Sequence, residues 1–370
     1  MIATAAVSLF LISSATLERP YKLMVGDPAP RLQVDRFVKG APVKDFKQGQ
    51  VYVVEFWATW CRPCKESIPH ITELQKKYGS KVQFVGISVW EPKDSDVEPF
   101  VKQWGEKMDY TIAVDKVVGV TSTDDAERAR ESMEKGLMSK AYLVDSGWNM
   151  VGIPSAFIVN ADGKIAWAGD PREIDDSLAE VVDGKQDLAK ASADYNAAMT
   201  KRHIAITSLE EGRKAVSEKR WDDASACFER VGAQGEEWSR GYVEKFDMYL
   251  RAKGSQVEAV DYMNSMITKA HWSTTMDMLA IMANQAKNLS VSTLEAGVKA
   301  CDEVLAQIGE DHTRPLMTQA QMFHRLGKDK EALERVDRAL KIAKGNEVKD
   351  FAEKRKRYAA GGGSLVDPDK

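Results

Sequence analysis

Residues 51–69 read VYVVEFWATWCRPCKESIP, and this stretch decides how the first half of the chain folds. It opens on VYVVEFW, a nearly continuous β-branched and aromatic run, which is typical of a strand buried on both faces of a sheet with parallel pairs. Residues 61–78 predict a helix, and residues 82–90 predict a second buried strand. Strand, helix and strand at this spacing indicate a βαβ unit.

Weaker signals extend the alternation of strands and helices over residues 20–187. The turn Asn160-Ala-Asp-Gly163 lies between two short apolar runs and predicts a hairpin. The other predicted elements are helices at 95–106 and 175–182 and strands at 111–114, 156–159 and 165–168. We therefore predict an α/β domain with a mixed central sheet and flanking helices, and an inserted charged helix between residues 115 and 140.

Two cysteines, three residues apart, stand at the predicted start of the helix. A thiol is a nucleophile only as the thiolate, and the unpaired N–H groups and positive dipole end of a helix start favour that form. Arg62 adds a positive charge, and Pro63 stiffens the first turn, where proline is tolerated. We predict that Cys61 is the exposed attacking thiol and that Cys64, one turn deeper, resolves a mixed disulfide on Cys61.

Glu55 is the only charged residue of the strand at 51–57. A lone buried carboxylate is costly unless it has a task. Burial should raise its pKa towards neutrality, which would let it take a proton from Cys64. The alternative is a solvated glutamate at an edge of the sheet. Trp60, just before the first cysteine, is predicted to border the reactive sulfur.

Residues 25–183 resemble the thioredoxin fold, and in particular the TlpA/ResA-like thiol–disulfide oxidoreductases of bacterial envelopes. The resemblance rests on VGDPAP at 25–30, GAPVKDF at 40–46, VVEFWATWCRPCKESIP at 53–69 and GIPSAFIVNADGKI at 152–165.

The resemblance implies roles for individual residues. Glu55 occupies the position of the buried acidic base, and Pro154 matches the cis-proline that faces the two cysteines. Many relatives carry a second acid three residues after the resolving cysteine, where this chain has Ser67. The redox-active disulfide would join Cys61 to Cys64, and the client protein would contact Trp60, Arg62, Pro63, Ile153 and Pro154.

The first hypothesis is therefore an enzyme that exchanges electrons between Cys61/Cys64 and the thiols or disulfides of protein clients. It needs no small cofactor, but it needs an upstream protein that donates or accepts electrons, and the sequence leaves the direction open. The second hypothesis is a non-catalytic or redox-sensing scaffold. A peroxidase of the peroxiredoxin kind is disfavoured, because its Pro-x-x-x-Thr-x-x-Cys pattern is replaced by Val54 and Ala58 at the first two marked positions.

Residues 198–358 carry a different, helical pattern with four small residues at matching places, Ala224, Ala259, Ala296 and Ala332. Their spacings of 35, 37 and 36 residues are close to the period of about 34 in tetratricopeptide repeats. We predict a tetratricopeptide-like helical domain that binds a protein partner or self-associates, with a plain helical bundle as the alternative. The boundary between the α/β domain and the helical domain is predicted between residues 184 and 198. Residues 359–370 predict a flexible tail.

The composition excludes other classes of function. A net charge of -4 and a pI near 5.9 leave no broad basic surface, which argues against a nucleic-acid partner. The histidines are scattered, and a zinc site at Cys61 and Cys64 lacks a second ligand pair. Cys227 and Cys301 stand alone and are predicted to be inert core residues.

The N-terminus predicts export. Residues 2–12 are apolar over the length of a secretory h-region, and small residues follow at 13–15. We predict a signal peptide at 1–17 and a place in the bacterial periplasm or cell envelope. Because no Lys or Arg precedes the apolar stretch, a buried strand or a mis-chosen start, and a cytoplasmic protein, remain the alternative.

Overall fold

The computed structural model describes residues 19–148 and 152–363. The chain divides at Thr200 into two compact units, Met1–Thr200 and Lys201–Lys370. The predicted signal peptide at 1–17 and residues 364–370 of the predicted tail lie outside the described residues.

A six-stranded mixed sheet forms the centre of the first unit. Its strands are β1 Val34–Lys39, β2 Val51–Trp57, β3 Val82–Ser88, β4 Thr111–Asp115, β5 Ser155–Val159 and β6 Ile165–Gly169. They lie in the order β1-β4-β3-β2-β5-β6, with β2 parallel to β3 and antiparallel to β5. The predicted mixed sheet and thioredoxin fold are confirmed, and β2 is an interior strand, as its unbroken apolar run indicates.

Helices flank this sheet at the places that the sequence predicts. They are α1 Arg62–Tyr78, α2 Val97–Trp104, α3 Asp125–Lys135 within the insertion, and α4 Asp175–Val182. The second predicted strand is shorter than expected, since β3 ends at Ser88. Trp90 takes a φ of 59°, in the left-handed region, and this turns the chain out of the strand.

The side chains of β2 alternate between two separate cores. Val53 and Trp57 pack with Cys64 of α1 on one face of the sheet, while Val54 and Phe56 belong to the core of the other face. Because side chains of a strand alternate with period two, Glu55 points to the same face as Val53 and Trp57. The buried acid therefore faces the side of the sheet that carries the cysteine pair.

Helix α5 Leu188–Ser217 runs through the stretch where composition predicts a seam. Its alanine-rich sequence has high helix propensity, which outweighs the small polar residues in it. The first turns of α5 pack on the first unit, because Ser192 Oγ donates to the carbonyl of Val25 at 2.7 Å and Tyr195 accepts from Trp148 Nε1 at 2.7 Å.

The second unit is helical, as predicted. After the end of α5 it contains α6 Trp221–Gly232, α7 Arg240–Asp247, α8 Gln256–Met266, α9 Trp272–Ala280, α10 Val291–Ile308, α11 Thr313–Arg325, α12 Asp329–Ile342 and α13 Asn346–Ala359. No helix in the described part of the chain is long and apolar enough to cross a membrane.

The predicted small residues of this unit hold places in its core. Ala224, Ala259 and Ala332 are fully buried. At the third place the buried residue is Gly297 rather than its neighbour Ala296, since a Cβ on Gly297 would lie 2.6 Å from one methionine sulfur and 2.7 Å from another. Small residues thus mark close helix packing, and a tetratricopeptide-like repeat remains a prediction.

Candidate functional site

The cysteine pair lies at the start of α1, just after the loop that follows β2. Cys61 is the N-cap residue of α1, and its Sγ accepts a hydrogen bond from the backbone N–H of Cys64 at 3.2 Å. The two residues form a disulfide, with their Cα atoms 5.3 Å apart. Pro63 occupies the first turn of α1. The sulfur of Cys61 is therefore held at the end of the helix where backbone donors are unpaired.

The two sulfurs are less accessible than the sequence predicts. Cys61 is only 3% exposed and Cys64 is fully buried, so the predicted exposed attacker is almost covered in the disulfide form. The side chains beside it are open instead: Trp60 is 51% exposed, and the exposed Arg62 pairs with Glu66 at 3.6 Å. The exposed border of the site is thus provided by residues that flank the cysteines.

The chain at Ile153 passes directly over the first cysteine. The carbonyl oxygen of Ile153 lies 3.6 Å from Cys61 Sγ, and the Ile153–Pro154 peptide bond is cis. From the sequence, Ile153 and Pro154 are expected beside the two cysteines only because of the family resemblance. The structure brings Cys61, Cys64, Ile153 and Pro154 together.

Glu55 is buried in the middle of the sheet and not solvated at an edge. It is 1% exposed, and its Oε2 accepts a hydrogen bond from the hydroxyl of Tyr110 at 3.3 Å. Its Oε1 has no partner among the described residues. Burial raises the pKa of Glu55 to about 8, against the smaller opposing effect of the Tyr110 bond. A carboxyl with such a pKa can exchange a proton near neutral pH.

Room for this acid comes from a glycine on the neighbouring strand. Gly86 pairs with Glu55 across the parallel ladder. A Cβ at Gly86 would lie 2.8 Å from a ring carbon of Tyr110 and 3.0 Å from Glu55 Oε2. The missing side chain lets the tyrosine ring reach the carboxyl. Tyr110 was not singled out from the sequence, because its contact with Glu55 depends on the register of three strands.

A second buried acid, Glu91, was also missed by sequence reasoning. It is 3% exposed and follows the positive-φ residue Trp90 just after β3. Its Oε1 accepts hydrogen bonds from the backbone N–H of Thr59 and from Ser88 Oγ, each at 2.7 Å, and its Oε2 accepts from Thr59 Oγ1 at 2.7 Å. The available signal is topological: parallel strands end at the same edge of a sheet, so an acid after β3 lies near the loop after β2.

Other candidate residues are occupied elsewhere. Ser67 is buried and its hydroxyl donates to the carbonyl of Cys64 at 3.0 Å. Cys227 and Cys301 are buried free cysteines in the helical unit, and burial raises the pKa of the Cys301 thiol well above its usual range. Within the described ranges, no group of three or more His, Cys, Asp or Glu side chains is arranged to hold a metal ion.

Part of the chain is similar to known proteins. Residues 25–168 match the AhpC/TSA family. Protein FixW of Rhizobium leguminosarum is 26% identical over 49% of this chain and 79% of that protein. The thiol-disulfide oxidoreductase ResA of Bacillus cereus is 29% identical over 45% of this chain and 80% of that protein.

Solved structures are also similar to part of the chain. A thiol-disulfide isomerase from Corynebacterium glutamicum is 20% identical, with 43% of this chain and 97% of that chain covered and a TM-score of 0.33. StoA from Bacillus subtilis is 20% identical, with 41% and 99% covered and a TM-score of 0.28. The N-terminal part of this chain therefore has a thioredoxin-like fold and is similar to the AhpC/TSA family, and thiol–disulfide oxidoreductases are among the proteins that it resembles.

Proposed function

We propose that this protein exchanges electrons between Cys61/Cys64 and the thiols or disulfides of protein clients. The observation that carries the proposal is the disulfide at the start of α1, with Cys61 as its N-cap. A helix start lowers the pKa of a thiol placed on it, which makes Cys61 the attacking sulfur.

The reaction in the reducing direction has two steps. The Cys61 thiolate attacks one sulfur of a client disulfide, so that a Cys61–client bond forms and the second client sulfur leaves as a thiolate that takes up a proton. The Cys64 thiolate then attacks Cys61 Sγ, which forms the Cys61–Cys64 disulfide and releases the first client sulfur as a thiolate. Two electrons pass to the client, and a dithiol donor protein must return two electrons to the pair. The oxidising direction is the same sequence reversed.

Glu55 is the proposed base for the second step. Cys64 is fully buried, so its proton needs an internal acceptor. Glu55 lies on the same face of β2 as the core that contains Cys64, and one of its oxygens has no partner among the described residues. A carboxyl with a pKa of about 8 both accepts this proton and returns it near neutral pH.

The client is proposed to bind along the exposed border of the site. Trp60 offers an exposed apolar ring, and Arg62 and Pro63 lie beside it at the helix start. The backbone at Ile153, next to Pro154, provides strand-like hydrogen bonds for an extended client chain.

The proposal is tested by trapping. A Cys64→Ser variant should hold clients as mixed disulfides through Cys61, and it should release them on addition of dithiothreitol. Cys61→Ser is the matched control and should trap nothing. A Cys61 variant that traps as well as the Cys64 variant would reverse the two roles. A full chain that reduces no protein disulfide would leave the redox-sensing scaffold as the better explanation, and peroxide turnover would favour a peroxidase.

The helical unit is proposed to hold or position the client, or to mediate self-association, with no part in the chemistry. Stacked helices of this kind provide extended binding surfaces, and tethering raises the concentration of a held client near Cys61. A chain that ends at Thr200 keeps the turns of α5 that pack on the first unit. That shortened chain should still reduce insulin, while its Cys64→Ser form should trap fewer proteins. An unchanged set of trapped proteins would refute this role.

We also propose that the protein works in the cell envelope. The support is the apolar stretch at 2–12 and the small residues after it. N-terminal sequencing of the protein from its own cells tests this, since export predicts a mature chain that begins near residue 18. A retained Met1 in a cytoplasmic fraction would contradict it.

A further inference from the structure

The loop between β2 and α1 carries the first cysteine, and it is held from the side by the turn after β3. The loop is Ala58, Thr59 and Trp60. Both the backbone N–H and the hydroxyl of Thr59 donate to Glu91, and Trp60 Nε1 donates to the carbonyl of Trp90 at 3.0 Å. Two consecutive loop residues are therefore tied to two consecutive residues of the turn.

The turn is itself firmly anchored. Trp90 is a bulky residue in the left-handed region, a conformation that persists only where the surroundings over-determine it. Its indole Nε1 donates to Ser139 Oγ at 2.6 Å, and the hydroxyl of Ser88 donates to Glu91. The carboxyl of Glu91 is thus presented to the loop from a fixed position.

Glu91 differs chemically from the other buried acid of the site. Both of its oxygens accept hydrogen bonds, including bonds from Ser88 and Thr59. Glu55 has one long bond and one oxygen without a partner in the described part of the chain. A buried carboxylate whose oxygens are bonded is a stable acceptor, whereas a poorly bonded one is suited to take up a proton.

We propose that Glu91 is a positioning residue for Cys61. By fixing Thr59 it holds the loop so that Cys61 Sγ stays at the N-cap of α1 and opposite the carbonyl of Ile153. The role rests on the proposed function, because it concerns the attack by Cys61. Small displacements of a reacting atom reduce a rate strongly, so the effect of an indirect role through Thr59 should still be large.

A positioning role and a purely electrostatic role of Glu91 predict opposite shifts in the pKa of Cys61 when Glu91 is removed. If Glu91 acts by fixing the loop, its removal loosens the contact between Cys61 Sγ and the helix N–H groups and raises the pKa of the thiol. If Glu91 acts only through its negative charge, its removal lowers that pKa. The direction of the shift therefore separates the two explanations.

The test uses the full chain, three variants of the contact and one control variant. In Glu91→Gln the amide oxygen can accept from the Thr59 N–H and from Ser88 Oγ, while its NH₂ donates to Thr59 Oγ1; the bonds are kept and the charge is lost. Glu91→Ala removes both. Thr59→Val keeps the backbone bond and removes the hydroxyl bond. Glu73→Ala, an exposed acid on α1, is the matched control.

Two readouts are measured: the rate of insulin reduction with dithiothreitol as donor, and the pH dependence of Cys61 alkylation in the reduced protein. We expect Glu91→Ala to slow reduction by about 10–100-fold with a raised Cys61 pKa, Thr59→Val to fall in between, and Glu91→Gln to stay within roughly threefold of the parent. Glu73→Ala should change neither readout.

Several results would overturn the assignment. A Gln variant as slow as the Ala variant, a lowered Cys61 pKa in the Ala variant, or unchanged readouts in both Glu91→Ala and Thr59→Val would each do so. If Glu91→Ala fails to fold, Thr59→Val decides alone. If the parent protein does not reduce insulin, the proposed function fails, and the alkylation profile still decides the position of Cys61.

Discussion

The two units of this protein bury cysteines in opposite ways. In the first unit Cys61 caps the start of α1, where its sulfur accepts a backbone N–H. In the second unit Cys301 lies in the middle of α10, where helix N–H groups already bond to the preceding turn. Burial, and after it the negative charge of Asp302, raises the pKa of the Cys301 thiol. Both cysteines are buried, and they differ in their place on the helix, which is the difference that the proposed role of Cys61 depends on.

The largest expected effect is on activity, and it comes from replacing one cysteine of each unit. Cys61→Ser should lower the rate of insulin reduction to the rate with dithiothreitol alone, because the attacking sulfur is lost. Cys301→Ala should keep full activity and should lower the free energy of unfolding by about 1 kcal/mol, since it removes a small buried group. The measurements are the insulin assay and urea unfolding. Activity lost with Cys301 would contradict the contrast.

Glu55→Gln should give the next largest effect, on activity and on the pH dependence of stability. Because the folded pKa of Glu55 is raised to about 8 from 4.5, the folded state holds a proton that the unfolded state has lost. The parent protein should lose stability as the pH rises from about 4.5 to about 8, by roughly 4 kcal/mol from this group. The variant should not show that loss, and its disulfide exchange near neutral pH should be slower.

The control for that variant comes from the helical unit. Glu210 is exposed, and Glu210→Gln should leave both the pH–rate profile and the pH dependence of urea unfolding unchanged. A parent protein whose stability is flat between pH 5 and pH 8 would show that Glu55 is not the buried acid described here.

A pair of glycine variants sharpens the comparison between the sheet and the helices. Gly86→Ala places a methyl against the Tyr110 ring and Glu55, and should cost about 1–3 kcal/mol of stability. Gly297→Ala meets two methionine sulfurs, which can move, and gains helix propensity. Its net change should stay within about 1 kcal/mol. Thermal unfolding measures both, and an equal loss in the two variants would contradict the difference.

The smallest expected effect concerns Tyr110, compared with Tyr142, which is also buried in the first unit. The hydrogen bond from Tyr110 lowers the pKa of Glu55, and Tyr110→Phe removes that bond. The pKa of Glu55 should therefore rise in the variant, and the pH–rate profile should move to higher pH by less than about one unit. Tyr142 belongs to the core on the other face of the sheet, where its hydroxyl donates to the carbonyl of Pro30. Tyr142→Phe should leave the profile in place.

Sequence alone determined the fold class and the location of the redox pair. The run VYVVEFW, the hairpin turn at 160–163 and the helix start at Cys61 are local patterns, and each acts over a few residues of chain. Glu55 could be singled out because it interrupts an apolar strand, and the structure indeed buries it. The helical second unit was readable from its periodicity for the same reason.

Only the tertiary structure decided the neighbours of these residues. The register of β2 and β3 sets Gly86 beside Glu55, and Tyr110, just ahead of β4, reaches the same carboxyl. The shared end of the parallel strands places Glu91 beside Thr59. The hydrogen bonds of Ser192 and Tyr195 attach the first turns of α5 to the first unit, within the stretch at 184–198 that the composition predicts as the domain boundary. Such contacts join residues far apart in the chain, and no local pattern encodes which distant side chains will share a buried space.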